Sequence, residues 1–382
     1  MDRSNNSRDI PFIKLNKKNG QIFLNKIKQL FKNETILDNK FNKIQENDFI
    51  LFPLINDEKI IKKLLNSIEK DLEYQLIFNK GVLRKDYKIR SIQEAVKSQI
   101  PENYLKFVPR SYDIIGDIAI LEFDKKFISI INDPLNFKEI IAKALIQVNK
   151  NVKSVFEKKS EIKGLYRLRE LKYLFGEKRT QTLHRENDCL FNVDIKNIFF
   201  TPRLVFERNR IALMNYKTNE VIVDLFAGVG PFSIQIARMN EVDLLSFDIN
   251  PNAYNLLLKN IELNKLKGKI IPYNLDIKTL INPSNELGVS LKNKADRIIM
   301  NLPEKSLEFL DVACFLLKKS GGIMYIYQIS EKPNPIERAI KKVEKKLKKI
   351  GYRADEILNS KIVKHFSPKS ELVVVDLIVN EI

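Results

Sequence analysis

A chain of 382 residues with 44% hydrophobic content can bury more than one core, and its formal net charge of +18 sets it apart from neutral or acidic enzymes. The two cysteines are far apart from each other, as are the two histidines, which excludes a disulfide scaffold and a classical metal cluster, so no metal is expected. No apolar run reaches membrane-spanning length and the N-terminus lacks a signal peptide's apolar core. The expectation is therefore a soluble, cytoplasmic protein with no membrane partner. The positive charge favours a polyanion, nucleic acid ahead of a membrane surface, although a lysine-rich composition alone accounts for part of it.

The first ten residues are polar and read as loose. Residues 11–72 read as a small α/β unit. "GQIFLNKIKQLF" and "DEKIIKKLLNSI" have helical spacing, and "DFILFPL" reads as a short strand. A second unit spans 73–192 and opens with "EYQLIFNKGVLRKDYKIRS", where aromatic residues sit among basic ones. Within it "YDIIGDIAILEF" is strand-like with a bend at Gly116, and "PLNFKEIIAKALIQVNKNV" is helical. "GLYRLRELKYLFG", "TQTLHREN" and "CLFNVDIKNIFF" follow. Over 193–382, strands at "VIVDLF", "VDLLSFDI", "KIIPYN", "ADRIIMN", "GGIMYIYQI" and "LVVVDLIV" alternate with helices. That alternation implies a parallel, doubly wound sheet.

The first strand of this last unit runs into a glycine turn and a helix, "VIVDLFAGVGPFSIQIA". Gly228 and Gly230 let the backbone approach a ligand, and the helix starting near Pro231 turns free amides toward the loop. Asp248, at the end of the second strand, suits the two hydroxyls of a ribose. A dinucleotide fold is one reading, but the third glycine of its fingerprint falls at Ser233. S-adenosylmethionine, which has no pyrophosphate, fits better, with Asp276 after the third strand accepting from the adenine amino group. An ordinary tight turn is the alternative for the glycines taken alone.

Asn301 ends the fourth strand, beside the first, in "MNLPEKSLEFL". Its amide offers an acceptor and two donors to a planar base edge, and Pro303 stiffens the loop. A helix cap before "EKSLEFLDVA" is the competing role. Cytosine-C5 methylation needs a cysteine nucleophile. Cys314 lies in a helical pattern away from the strand end, so that chemistry is set aside.

Together "YDIIGDIAILEF", "YRLRELKYLFG", "VDIKNIFFTPRLVFERNRI", "VDLFAGVGPF", "DINPNA", "NLPEKSLEFLD" and "VKHFSPKSELVVVDL" resemble the archaeal and eukaryotic tRNA (guanine-37-N1)-methyltransferases, in that family's order, from about residue 40 onward. The resemblance implies an α/β fold. A Rossmann-like class I S-adenosylmethionine-dependent methyltransferase domain (193–382) is preceded by a middle RNA-binding α+β domain (73–192) and a small N-terminal tRNA-recognition domain (1–72). It implies methylation of N1 of guanosine 37 in tRNA by a monomer. Guanine N1 carries a proton and is a poor nucleophile, so a base must take that proton while O6 is stabilised. By resemblance Glu207 is the base, Arg167 stabilises O6 and Asn301 orients the guanine. The cofactor contacts are Asp224, Phe226, Gly228, Gly230, Pro231, Phe232, Asp248, Ile249, Asn250, Asp276 and Asn301. Phe199, Arg203 and Pro303 contact substrate.

Two departures from the family pattern fall in the substrate region, Phe199 for the usual tyrosine and Phe175 before the glycine. Read without the resemblance, Glu207 is one end of an ion pair with Arg208 or Arg210, and Arg167 or Arg169 holds phosphate. Related activities also remain open: an additional methylation of a tricyclic wyosine precursor, aminocarboxypropyl transfer from the same cofactor, or tRNA binding without catalysis.

Overall fold

The computed structural model describes residues 9–32, 34–68, 72–124, 130–131 and 133–382, and the chain divides into two compact units, Met1–Ile89 and Arg90–Ile382. The first ten residues, read as loose, lie outside this description up to residue 8. In the first unit an antiparallel sheet runs in the order β2 (Ile44–Glu46), β3 (Phe49–Pro53), β1 (Asp9–Asn16), β4 (Tyr74–Lys80). Alternate residues of the central strand serve two faces. Ile13 and Leu15 pack with Phe23 of α1 (Gly20–Leu30) and Leu64 of α2 (Glu58–Ile68), while Phe12 meets Leu51 on the other side. Because β4 pairs with β1 from Asp9↔Lys80 to Leu15↔Tyr74, this unit extends past the boundary expected at residue 72. As an edge strand, β4 is mostly exposed, with Gln75, Leu76, Phe78 and Lys80 facing out. Its shift in composition therefore marks a sheet edge rather than a new domain.

In the second unit α3 (Ile92–Val96) packs on α4 (Pro134–Val148), and strands β5 (Tyr112–Ile115), β6 (Ile118–Leu121), β7 (Ser154–Lys158) and β8 (Leu171–Gly176) form a sheet in chain order. β6 and β7 run parallel, so the chain must cross over between them, and α4 lies in that crossover. A hairpin follows, β9 (Gln181–Glu186) and β10 (Cys189–Asp194), turned at Asn187 and Asp188. Both adopt positive φ, as a type I′ turn requires.

The large sheet has the order β13 (Lys269–Asn274), β12 (Asp243–Asp248), β11 (Val221–Asp224), β14 (Arg297–Met300), β15 (Gly322–Glu331), β17 (Ser370–Glu381), β16 (Tyr352–Ser367). It is parallel from β13 to β15, and β17 pairs antiparallel with both β15 and β16. Sequence periodicity misses β16 because register shifts, such as the one between Ala354 and Glu356, break its two-residue alternation. Neighbouring residues of each parallel strand enter different cores. Ile222 and Leu244 pack with α5 (Val205–Ala212), α6 (Ser233–Met239) and α7 (Pro251–Leu263). Val223 and Leu245 pack with α8 (Glu286–Leu291), α9 (Leu310–Leu316) and α10 (Pro335–Lys349).

The boundary expected at residue 192 falls inside β10. Its inward residues Cys189, Phe191 and Val193 share a core with Leu257 of α7. Asn260 and Asn264, one helical turn apart, cover the polar edge of β10. Asn260 accepts from Asn192 N at 2.6 Å, and Asn264 exchanges bonds with Leu190 N and O at 2.9 and 2.8 Å. No helix among the described residues is long and apolar enough to cross a membrane.

Candidate active site

The order of the parallel strands reverses between β11 and β14, and a cavity opens at their carboxyl ends. Phe226, Gly228, Pro231, Asp248, Ile249, Asn250, Asp276 and Asn301 are on its wall, as expected from the sequence. Gly228 adopts φ +57°, and a side chain added there would meet nothing within 4 Å: the loop faces open space. Asp248 accepts from the Gly228 N–H at 2.7 Å and from the Asn250 N–H at 2.8 Å. Each of its oxygens keeps a lone pair for a diol, although burial raises the carboxyl's pKa against those two donors. Asn250 is spent on structure. It caps α7 through Asn252 N at 3.0 Å and donates to Asn197 O at 2.9 Å. Phe226 and Phe309 meet edge-on, 5.1 Å apart, beside Ile277 and Asp276. An apolar slot flanked by carboxylates fits the adenosine part of S-adenosylmethionine.

Three expected cofactor contacts stand behind this wall. Asp224 is buried beneath the loop, accepting from Ser233 Oγ at 2.9 Å, and burial pushes its carboxyl up to about 7. Phe232 is a core residue whose ring lies 5.7 Å from that of Tyr327. Gly230, at φ +84°, is needed for packing. An added Cβ would lie 3.0 Å from Ile234 Cδ1 and nearer still to Leu257. Sequence reasoning also missed Leu165 and Tyr166, which reach the wall from a tight turn closed by Lys163 and Leu168. No local pattern marks a contact made across such a sequence separation.

A second, wider cavity adjoins the first, and Arg167, Phe199, Thr201, Leu204 and Asn301 belong to both walls. Asn301 is half-buried and its amide makes no hydrogen bond to any described residue. The capping role does not apply, because Lys305 holds the cap position of the following turn. Ser306 Oγ pins the loop, within reach of the Met300, Leu302 and Tyr327 carbonyls at 3.1, 2.8 and 2.7 Å. Ile329 N donates to Pro303 O at 3.0 Å. Arg167 sits at φ +56° in the Lys163–Leu168 turn and pairs with Glu304 through Nη1 at 2.7 Å and Nη2 at 3.4 Å. Its guanidinium lies 5.3 Å from the Phe199 ring centre. Pro303 and Arg203 line the wider cavity, and Arg203 Nε donates to Asp113 Oδ1 at 2.7 Å.

Glu207 is on neither wall. It is buried, accepting from Arg210 Nη2 at 2.6 Å, Tyr327 Oη at 2.9 Å and Lys361 Nζ at 2.8 Å. Burial opposes its charge, but Arg210 and Lys361 outweigh burial and hold the carboxyl below its ordinary range. Arg210 continues to the buried Asp376 at 2.6 Å. The ion pair read from the sequence is therefore present with Arg210, inside the protein rather than at its surface. Arg208 pairs instead with Glu186, at 2.7 Å. Cys314 is buried in α9, and burial pushes its thiol up to about 12, far from a nucleophile's range.

Residues 182–355 match the family described as the TRM5/TYW2 methyltransferase domain, and residues 92–180 match the TYW2 N-terminal domain. The chain is similar to the tRNA (guanine(37)-N(1))-methyltransferase Trm5b of Methanocaldococcus jannaschii, 36% identical over 97% of this chain and 98% of that protein. It is also similar to the tRNA(Phe) (4-demethylwyosine(37)-C(7)) aminocarboxypropyltransferase of the same organism, 35% identical over 69% of this chain and 96% of that one. Among solved structures, the complex of aTrm5 and tRNALeu superposes with a TM-score of 0.66 at 32% identity, covering 97% of this chain and 99% of the other.

Proposed function

The chain belongs to the TRM5/TYW2 methyltransferase family, and on that premise we propose that it is a tRNA (guanine37-N1)-methyltransferase using S-adenosylmethionine. The observation that carries this reading is the 98% coverage of Trm5b, N-terminal unit included. The aminocarboxypropyltransferase relative aligns with only 69% of this chain.

S-adenosylmethionine, when bound at the glycine loop, supplies the methyl group. Asp248 accepts from the ribose hydroxyls and Asp276 from the adenine amino group. The guanine enters the wider cavity, where the free amide of Asn301 meets its edge and Phe199 packs against it. Arg167 stabilises the charge moving onto O6. Glu304 engages one N–H on each terminal nitrogen and leaves three donors free. Glu207 takes the N1 proton. It is ionised at neutral pH but lies behind the cavity walls. Proton transfer therefore requires Lys361, whose side chain is 40% exposed, to swing into solvent and the Glu207 side chain to turn toward the base. Until it turns, Oε2 stays held by Arg210 Nε at 3.1 Å. The chain acts on tRNA as a monomer.

Incubation with methyl-labelled S-adenosylmethionine and unmodified tRNA carrying guanosine or adenosine at 37 tests the assignment. Label in 1-methylguanosine, on the guanosine transcript alone, is expected. Carboxyl-labelled cofactor giving labelled RNA would replace methyl transfer by aminocarboxypropyl transfer. For the base, Glu207→Gln should lower kcat by about 10²-fold or more. Removing one of the two cations that lower the Glu207 pKa should raise it. In Lys361→Met the acid limb of the kcat/KM profile should therefore move to higher pH, and an unmoved limb would remove Glu207 from proton transfer.

A further inference from the structure

Among the described residues, the wall of the wider cavity carries two half-buried cations with no ion-pair partner. Arg169 and Lys364 are half-buried, and neither makes an ion pair or hydrogen bond to a described residue. Arg169 projects from the segment after the Arg167 turn, 5.9 Å from the centre of the Phe199 ring. Lys364 comes from β16, opposite Leu372 of β17. Arg203 adjoins both, and its Nε is taken by Asp113. The other carboxylates on this wall are already engaged. Lys158 Nζ binds Glu122 at 3.0 Å and Glu161 at 3.2 Å, and Glu304 holds Arg167. Half-burying two unpaired like charges side by side is unfavourable unless an anion joins them. Burial lowers the pKa of both groups. Arg203, Arg169 and Arg208 lower that of Lys364 further against Asp113, while Asp113, Glu122 and Glu161 favour the charge on Arg169.

We infer that Arg169, Arg203 and Lys364 form a subsite for an RNA phosphodiester, the one on a given side of the nucleotide whose base meets Asn301. Neither Arg169 nor Lys364 is on the wall of the adenosine cavity. A guanosine whose base enters the wider cavity brings its own two flanking phosphodiesters to the cavity mouth, where Arg203 is exposed. This inference rests on the proposed tRNA methylation. It adds that the pocket holds the nucleotide by backbone charge as well as by its base, which fixes position without reading sequence.

The test uses full-length tRNA joined from synthetic halves, with a neutral methylphosphonate placed 5′ or 3′ of nucleotide 37. Equilibrium binding is measured by fluorescence anisotropy over a salt series, for the wild-type protein, Arg169→Gln and Lys364→Met. One of the two methylphosphonates should weaken wild-type binding about 10-fold or more. Each variant should weaken the unmodified RNA similarly, and should lose little more with that methylphosphonate. The slope of log K against log salt should flatten by about 0.7 to 0.9 for each phosphate left unneutralised. If both methylphosphonate tRNAs bind the wild type as tightly as unmodified tRNA, or if variant and RNA losses add in full, the subsite is overturned. The wild-type arm needs no variant to fold. Binding is read without turnover, so absence of 1-methylguanosine would sink the methylation reading while leaving the phosphate measurement valid.

Discussion

Gly228→Ala and Gly230→Ala should fail in different ways, though the two glycines look alike in sequence. At 228 the new methyl meets open space. The expected result is a left-handed backbone cost of about 1 kcal/mol and a cofactor affinity at least ~10-fold weaker, read by calorimetric titration. At 230 the methyl meets Ile234 and Leu257. The expected result is destabilisation by about 1–3 kcal/mol, read as a lower Tm before any cofactor is added. Asp224 gives a pH signature. Its folded carboxyl titrates near about 7, against about 4 in the unfolded chain. The folded state thus holds the extra proton between those values, and this group's contribution to stability falls as pH rises through that window and is flat above it. The Tm of Asp224→Asn relative to wild type, without cofactor, should therefore improve from about pH 5 to about pH 8. A constant difference would show that Asp224 is already charged at pH 5. The glycines and Asp248 were legible because strand, turn and acid recur at fixed spacing. The cage around Glu207 was not, since Lys361 and Asp376 come from strands more than a hundred residues away.

At the scale of elements, α4 is tied to β7 by Lys138 and Glu157, paired at 2.6 Å with both side chains about 5% exposed. Lys138→Met leaves the carboxylate buried with only the longer Lys159 contact at 3.5 Å, and should cost about 3 kcal/mol or more. Adding Glu157→Leu should recover most of that loss in thermal melts. If the double variant is no better than the single, the pair is not what joins helix to strand. The alternating strands and helices after residue 193 were readable because parallel strands buried on both faces are continuous apolar runs. The bulged edge strand β16 and the half-exposed β4 were not, since edge strands carry polar residues that blur the period. Domain boundaries failed for the same reason. Composition changes at a sheet edge, but hydrogen-bonded partners decide which unit a strand joins.

On the scale of the whole molecule, every residue on the walls of both cavities lies between Arg90 and Ile382. A chain of residues 90–382 should therefore bind S-adenosylmethionine as tightly as the full chain, while its KM for tRNA rises. Equal KM values would remove the first unit from RNA recognition. The sequence's charge excess pointed correctly to a nucleic-acid class of partner for the family. No single lysine in it named a contact, because charge count carries no geometry.

The two cavities share a wall made of Arg167, Phe199, Thr201, Leu204 and Asn301. Whatever occupies one side therefore sets the positions of side chains facing the other. By linkage, any factor by which cofactor tightens RNA binding is the factor by which RNA tightens cofactor binding. The same common wall makes a covalent adenosine–guanine hybrid a natural inhibitor. A short tether passing Asn301 would reach both chambers, and its affinity would exceed that of either half by the effective concentration the tether imposes.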